Sequence, residues 1–427
     1  MIDTLLFDLK ARFSAIPDHR TGKQVGFSLA DVLMSGFAMF SLKDPSLLQF
    51  ISRLKVRSNN LMNIFHIGQC PSDTGVRQIL DEVPSNLLLP ILGEKVKALN
   101  EAGHLESYRV LGGHLYLAID GVTHFCSHKV ACPHCLVKNH KDGTQTFSHA
   151  MLCAVLIHPG EPVVFPVAVE PILKKDGDRK NDCELNATHR LLPQIAEALP
   201  NEKIVLGGDS LFPNAPLIRR ATEIGMSYLF NIKIGAQGYP YIQFARLSAE
   251  KKTMVCHGSD KKEERHYEFA NDLILNGENQ DIRVNFMRMT ITNKKTEKKT
   301  VFEWITNIPI AFGNYLEISK VGRSRWKIEN ETFNTLKNQG YHFEHNFGHG
   351  KNCLATNFAI LMFLAFLFDQ IQQAFDKGFR KALLMAKSKI MLWQKIREIV
   401  NLVPVPDFST VFKIIAKEIK LSIQIIV

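Results

Sequence analysis

The chain has 427 residues, of which 45% are apolar and 22% are charged, a composition typical of a folded protein of two or three domains. The net charge of +10 favours a polyanionic partner such as nucleic acid, with an anionic membrane surface as the second choice. The eight cysteines are not spread like a disulfide framework, which argues against a secreted protein and favours a reducing, cytoplasmic setting.

Neither the N-terminus nor the longest apolar run predicts export or membrane insertion. The N-terminal segment MIDTLLFDLKARF carries acidic residues in its first turns and has no basic start before a long apolar core, unlike a signal peptide. The longest apolar run, residues 358–368, is too short to span a bilayer and predicts a buried helix. We therefore expect no membrane partner.

Residues 1–110 are predicted to be mostly helical. Ser28 with Asp31, and Asp73 with Thr74, precede apolar segments in the manner of helix caps. Basic side chains recur through this region, and they are Arg20, Lys23, Arg53, Lys55, Arg57 and Arg77. A helical DNA-binding region that grips phosphates and a packing domain with a solvated surface are both compatible with this pattern.

Residues 111–235 change to strand-like apolar runs. HLYLAID is nearly continuous in its hydrophobicity, as in a strand buried on both faces, and ends at Asp120. The later strands, with two helices among them, are predicted at residues 148–159, 162–172, 203–209 and 226–234. This order predicts an α/β fold with a mixed sheet flanked by helices.

A different composition separates this region from its continuation. Residues 236–303 are charged and alternate in hydrophobicity, which predicts a β-rich insertion with a hairpin tip at Lys294–Lys299. Residues 304–350 are then predicted to return to the core, and residues 351–427 to form a helical C-terminal region.

The segment from Gly322 to Tyr341 is predicted to be one helix, because it lacks proline and is rich in good helix formers. At about 100° per residue, Glu329 falls on the same face as Trp326, Phe333 and Leu336, whereas Glu331 faces away. A carboxylate on a buried face needs a partner. Arg325, one turn earlier, can provide it, and a metal ion is the alternative.

Two further acids favour the metal. Asp120 and Asp209 each end a predicted strand, and they would emerge at one sheet edge if those strands are parallel neighbours. Three clustered carboxylates need a counter-charge, which two Mg²⁺ or Mn²⁺ ions would supply through oxygen ligands. The competing acids Asp176, Asp178 and Asp182 lie in a polar loop that no strand delivers, and Glu184 is a candidate for an outer position beside the site.

The run RWKIENETFNTLKN, together with the order Asp, Asp, Glu, resembles bacterial insertion-sequence transposases of the DDE type, in particular the broad group named for insertion sequence four. Arg325, Trp326, Ile328 and Glu329 match the group's Arg-Trp-x-Ile-Glu pattern, and Asp120 in IDGV and Asp209 in GGDS match its aspartates by context. The resemblance covers residues 114–350. It implies an RNase H-like catalytic core that cuts and joins DNA with two magnesium ions bound by Asp120, Asp209 and Glu329.

The match has two departures. The tyrosine of the group's signature falls on Gly322, and its lysine seven residues after the glutamate falls on Leu336, with Lys337 one place late. We expect Arg323, Arg325 and Lys337 to line the approach to the site and bind DNA phosphates; Lys327 is considered with them, and the lysines have solvated helix surface as an alternative.

Residues 124–149 concentrate cysteine and histidine, and the Cys132-Pro-His-Cys135 knuckle predicts a structural zinc site. The expected ligands are Cys126, Cys132 and Cys135, with His140 or His128 as the fourth. A loop with reduced thiols is the alternative, and a redox pair is less favoured because no helix clearly begins there. A second histidine-rich stretch, residues 341–352, is either a DNA-contacting loop or a packed turn.

The function most consistent with these features is a DNA transposase that acts on the ends of its element and on target DNA as a homodimer, in the cytoplasm with the nucleoid. An RNase H-like nuclease that never joins strands is the first alternative. A catalytically inactive DNA-binding derivative, held together by the zinc loop, is the second.

Overall fold

The computed structural model describes residues 1–21, 26–174, 182–233 and 238–419. The helices before the sheet are α1 (Ile2–Ser14), α2 (Leu29–Ser41), α3 (Leu47–Ser52), α4 (Leu54–Phe65), α5 (Asp73–Asp81) and α6 (Pro90–Glu101). The first elements of the sheet region are β1 (Arg109–Val110), β2 (His114–Ser127), β3 (Leu136–Asn139), β4 (Gln145–Leu156) and β5 (Phe165–Ile172). They are followed by α7 (Glu184–Ala198), β6 (Ile204–Gly208), α8 (Ala215–Glu223) and β7 (Ser227–Asn231).

The remaining elements run from the predicted insertion to the last described helix. Those of the insertion are α9 (Gly238–Ala249), β8 (Met254–Ser259), β9 (Glu263–Ile274), β10 (Arg283–Asn293) and β11 (Lys299–Thr306). After them come α10 (Tyr315–Ser324), a π-helical turn (Ile328–Phe333), α11 (Asn334–Asn338), α12 (Leu354–Phe375), α13 (Lys377–Ala386), α14 (Lys389–Leu402) and α15 (Phe408–Ile415).

The strands form one mixed sheet in the order β3-β4-β2-β6-β7-β11-β10-β9-β8, with β5 paired to β4 and β1 to β2. β2 is central: it is antiparallel to β4 and parallel to β6, which in turn is parallel to β7. The prediction of a mixed sheet flanked by helices is confirmed. The predicted end of the first strand at Asp120 is wrong, because backbone pairing with β4 continues the strand to Ser127 past a register shift after Thr123.

Residues of the predicted insertion extend this sheet. β11 pairs antiparallel with β7, and β10, β9 and β8 follow outward. α9 covers their inner part, where Phe244 stacks on Phe286 with ring centroids 4.1 Å apart. Lys294–Lys299 connects β10 to β11, as predicted for a hairpin tip.

The helices at the two ends of the chain pack against each other, with α2 lying on α12. α2 begins at Ser28, whose side chain accepts a hydrogen bond from the backbone of Asp31, as the sequence predicted. At its other end, Lys43 forms a buried ion pair with Asp369 of α12, 2.6 Å between Nζ and Oδ2. Neighbouring segments far apart in sequence therefore share one hydrophobic core.

α12 corrects the expectation that its apolar run is too short for a bilayer. The helix has 22 residues, and among the described residues it is the one helix whose length and composition would allow it to cross a membrane. Its apolar window is entirely buried inside the protein, and buried core helices of soluble proteins meet the same criteria. The predicted burial of this segment is confirmed.

The predicted basic face of the N-terminal helices is largely consumed by internal contacts. Arg57 is fully buried and pairs with Asp44, which also binds Arg53. Arg20 and Arg77 pair with aspartates close to them in sequence, Asp18 and Asp73. Lys23 lies outside the described residues. These arginines are held by carboxylates within the protein, which does not favour their predicted role as a grip for phosphates.

Candidate functional site

The two predicted aspartates lie at matching positions on neighbouring parallel strands. Ala118 of β2 is opposite Gly207 of β6. Continuing this register by two residues sets Asp120 opposite Asp209, on strands that lie about 4.8 Å apart. The prediction that these strands are parallel neighbours is confirmed. Asp209 directly follows the last residue of β6, whereas Asp120 lies within β2, which continues to Ser127. The carboxyl end of β6 therefore lies beside the middle of β2.

Arg325 joins the third predicted acid to the first. Its Nη1 lies 3.3 Å from Oδ2 of Asp120, and its Nη2 lies 3.0 Å from Oε1 of Glu329. The arginine is buried, with 7% of its surface exposed. The internal Arg–Glu pair is therefore confirmed, and the same guanidinium also holds Asp120. The predicted contact of Arg325 with DNA phosphate does not fit a buried side chain with these two partners.

The three acids are near one another without being gathered around a single point. Within the described part of the chain, one group of candidate metal ligands has all its ligand atoms within 4.8 Å of one another, and it consists of cysteines and histidines. The acids are more widely spaced, and the guanidinium of Arg325 stands between Asp120 and Glu329. Arg325 thus supplies one of the positive charges that the carboxylates require.

Glu329 lies in the π-helical turn Ile328–Phe333, not in the continuous helix that the sequence predicted. A break at Arg325 and Trp326 separates α10 from this turn. Because the backbone follows a different period here, the predicted face is wrong for Trp326, which is 53% exposed. Phe333 and Leu336 are buried as expected. π-helical turns are rare and occur often at functional sites.

The acids share one electrostatic environment. Burial raises the pKa of Asp120 to about 6; Arg325 opposes this rise, and Glu329 and Asp209 add to it. Burial also raises the pKa of Glu184 to about 7, with further repulsion from Asp120 and Asp209. Burial is the largest cause of both shifts, and repulsion from the neighbouring carboxylates adds to it.

Glu184 belongs to this acidic group more closely than the sequence suggested. It is the first residue of α7, and its carboxylate packs against the backbone of Gly121, where a Cβ would lie 2.2 Å from Oε1. Glycine at position 121 therefore leaves the space that Glu184 occupies next to Asp120. In the sequence, the only indication of this role of Glu184 was its position at the start of a helix after a polar loop.

The polar loop before α7 held three competing acids, and within the part of the chain that the structure describes none of them joins the site. Asp182 pairs with Arg190, 2.6 Å between Oδ2 and Nη2, and is thereby held on α7. Asp176 and Asp178 lie outside the described residues.

The other predicted phosphate ligands differ in their availability. Arg323 is exposed and lies over the ring of Phe302, 5.3 Å from its centroid. Lys337 is half-buried and pairs with Glu344 at 2.7 Å. Lys327 donates to the carbonyl of His158 at 2.7 Å and also to those of the following turn, so it fastens this segment to the end of β4.

Gly322 has a structural reason for departing from the tyrosine of the transposase signature. A Cβ at this position would lie 2.5 Å from Nε1 of Trp304. Trp304 is fully buried at the end of β11 and fills the place that a side chain at 322 would need.

The cysteine–histidine prediction is half right. Cys132 and Cys135 do come together, and their partners are His149 of β4 and His349 of the loop after α11. Cys126 is exposed on β2 and is not part of the group. His140 bonds Thr146 at 2.6 Å, and His128 bonds the carbonyl of Gln145 at 3.1 Å. These three residues are therefore not among the ligands that the structure brings together.

The histidine-rich stretch at residues 341–352 is packed through its aromatic side chains and His349, whereas His342, residues 344–346, Lys351 and Asn352 are exposed. Tyr341, Phe343 and Phe347 are each less than 5% exposed. His349 is 8% exposed and its Nδ1 bonds the carbonyl of Gly350 at 2.9 Å. Sequence spacing could not have identified His349 as a partner of Cys135, since the two residues are 214 positions apart.

Comparison with known proteins gave no matching family model and no significant match among curated proteins. The functional assignment therefore depends on the geometry of the acids and on the residues that resemble the transposase pattern.

Proposed function

We propose that the chain is a DDE-type DNA transposase that cuts and joins DNA strands at an RNase H-like acidic site formed by Asp120, Asp209 and Glu329. The single observation that carries the proposal is the matched register of Asp120 and Asp209 on parallel strands, with Glu329 tied to Asp120 through Arg325. Three acids separated by 89 and 120 positions in sequence (209 − 120 and 329 − 209) thus lie in one region of the fold, which supports the proposal.

The sheet order supports the RNase H-like part of the proposal. β5, β4 and β2 are successive antiparallel neighbours, and β6 and β7 add parallel strands on the other side of β2. Helices α7 and α8 provide the connections. The strands of the insertion continue the sheet beyond β7 before the chain returns to Glu329.

The donor set fits hard divalent cations such as Mg²⁺ or Mn²⁺, because every candidate ligand is a carboxylate oxygen. Asp120, Asp209 and Glu329 would hold the ions, with Glu184 beside them. The raised pKa of Asp120 and of Glu184 supports an unmet demand for positive charge. The chemistry that two such ions supply when bound is activation of an attacking water or 3′-hydroxyl and stabilisation of the leaving oxygen.

The chain's own residues position the carboxylates. Arg325 orients Asp120 and Glu329 through one hydrogen bond to each carboxylate. Lys327 anchors the segment that carries Glu329 to the turn after β4. Glu184, whose pKa is raised to about 7, is half protonated near neutral pH and can exchange a proton with groups at the site.

The π-helical turn supports a DNA contact for Lys337. A π turn takes one more residue than an α turn. A residue eight places after Glu329 therefore falls on the helix face that the seventh would occupy in an uninterrupted α-helix. By this argument Lys337, one place late in the linear pattern, would lie on the side of Glu329, while Leu336 is buried. DNA would have to replace Glu344 as the partner of Lys337.

The proposal is tested with DNA that carries the gene for this chain and its native flanks. We expect Mg²⁺-dependent nicking at the flanks and joining of the freed 3′-ends to a target plasmid. Glu329→Gln should abolish both reactions while DNA binding persists. Glu331→Gln, two residues along the same π-helical turn, is the matched control and should retain activity.

Three results would distinguish the alternatives. Nicking without joining would identify a nuclease of the same core and overturn the strand-transfer step. DNA binding with no nicking in Mg²⁺ or Mn²⁺ would identify an inactive derivative. Undiminished nicking by Glu329→Gln or Asp209→Ala would remove the acidic site from the mechanism altogether.

A further inference from the structure

The four-residue group at the far end of β2 is a second site, separate from the acids. Its members are Cys132 and Cys135 in the turn before β3, His149 on β4, and His349 after α11. Cys135, His149 and His349 are buried, and Cys132 is half-buried. Their sulfur and Nε2 atoms all lie within 4.8 Å of one another.

The separations between these atoms are those of a tetrahedron around one ion. The two Sγ atoms are 3.7 Å apart and the two Nε2 atoms are 3.2 Å apart. Three S···N separations, Cys132 to His149, Cys135 to His149 and Cys135 to His349, are each 3.3 Å. Zinc bonds of about 2.3 Å to sulfur and about 2.05 Å to nitrogen require tetrahedral edges of about 3.8, 3.3 and 3.6 Å for S···S, N···N and S···N, each within about 0.3 Å of the separations observed.

The surrounding bonds prepare the ligands for coordination. The backbone N–H of Cys132 points at Sγ of Cys135 at 3.4 Å, and that of Cys135 donates to the carbonyl of Cys132 at 3.2 Å. Nδ1 of His349 bonds the carbonyl of Gly350, which leaves its Nε2 as the free lone pair. A disulfide is excluded in this arrangement, because bonded sulfurs lie about 2.05 Å apart.

We propose that Cys132, Cys135, His149 and His349 bind one structural Zn²⁺ ion that clamps the loop following Glu329 onto the sheet. Two thiolates and two imidazoles form a closed site with no open position, the arrangement of structural zinc. The site is independent of the proposed function, because none of its ligands belongs to the acidic group.

The clamp joins parts of the chain that are otherwise connected only through the core. His149 is paired across the sheet with Phe125 of β2, and the ring of Phe125 also lies 4.4 Å from that of His349. One ion would thus fix the loop at residues 341–352, which follows α11, against β4, the antiparallel neighbour of the strand that carries Asp120.

The test begins with elemental analysis of the full chain purified without chelator. We expect one zinc per chain, and replacement by Co²⁺ should give the visible d–d bands of a tetrahedral ion together with a thiolate charge-transfer band. Cys135→Ser and His349→Gln should lose the metal. Cys126→Ser and His140→Gln, the matched controls from the same cysteine–histidine run, should keep one zinc per chain.

A second variant covers the case in which ligand removal prevents folding. His349→Cys keeps four ligands and should retain zinc, with a stronger thiolate band after Co²⁺ replacement because a third sulfur is added. Titrating the thiols of the unaltered protein with a mercurial should release one zinc per chain to a colorimetric indicator. The proposal would be overturned if the protein purified from zinc-supplied cells contained no zinc. It would also be overturned if Cys126→Ser lost the metal while Cys135→Ser retained it.

Discussion

Replacing Asp120 by Asn should stabilise the protein in the absence of magnesium. Burial raises the pKa of Asp120 from an ordinary value of 3.8 to about 6, so the folded protein favours the neutral form. Each pKa unit corresponds to about 1.4 kcal/mol, and a shift of about two units sets an upper limit of about 3 kcal/mol. Because 22% of the side chain is exposed, solvent screening reduces the expected gain to about 1–2 kcal/mol.

The pH dependence follows from the same shift. A carboxyl whose pKa is raised on folding binds its proton more tightly in the folded state, so the free energy of unfolding falls as pH rises from about 4 to about 6. Above that window both states are ionised and the cost is constant. The advantage of Asp120→Asn over the unaltered protein should therefore grow from pH 5 to pH 7 and then level off. Arg325 keeps Glu329 as a partner in the variant.

The measurement is urea unfolding at pH 5, 6, 7 and 8 in magnesium-free buffer, repeated with millimolar Mg²⁺. Asp8→Asn, on the exposed face of α1, is the control and should change little. Mg²⁺ should stabilise the unaltered protein and leave Asp120→Asn unchanged. A variant that is less stable than the unaltered protein at pH 8, or a difference that does not vary with pH, would refute the reasoning.

Three further substitutions have definite expected outcomes. Gly121→Ala should abolish Mg²⁺-dependent nicking, because its Cβ would displace the glutamate of α7 from beside the strand; a nicking assay with binding as the control checks this. Gly322→Tyr, which restores the signature residue, should destabilise the protein by at least about 1–3 kcal/mol because Trp304 fills the space, as denaturation would show. Lys43→Met should cost about 3–5 kcal/mol by leaving Asp369 buried without its ion-pair partner, and the double variant with Asp369→Leu should recover much of that loss.

Much of the sheet and the identity of the acids could be predicted from the sequence. Apolar runs ending near Asp120 and Asp209 indicated buried strands, because a strand covered on both faces requires continuous hydrophobicity. The run around Glu329 indicated a helical segment, but the carboxylate that it predicted on the buried face is 39% exposed. These features are local, since each depends on residues within one or two turns or within one strand.

The predictions that were wrong concern residues whose position depends on a local change of helix type or on contacts with segments far away in the sequence. Trp326 is exposed because the backbone breaks at Arg325 and continues as a π-helical turn, which no periodicity of the sequence signalled. Arg325 is buried because two carboxylates reach it, one of them from β2.

The sequence by itself determined which side chains could do chemistry: three acids in strand and helix contexts, and a pair of cysteines at knuckle spacing. Only the tertiary structure decided their company. It set Asp120 opposite Asp209 through parallel pairing, added Glu184 through the space left by Gly121, and brought His349 to Cys135 across 214 positions. The physical reason is that hydrophobic periodicity acts over a few residues, whereas ligand and ion-pair geometry depends on how whole elements pack.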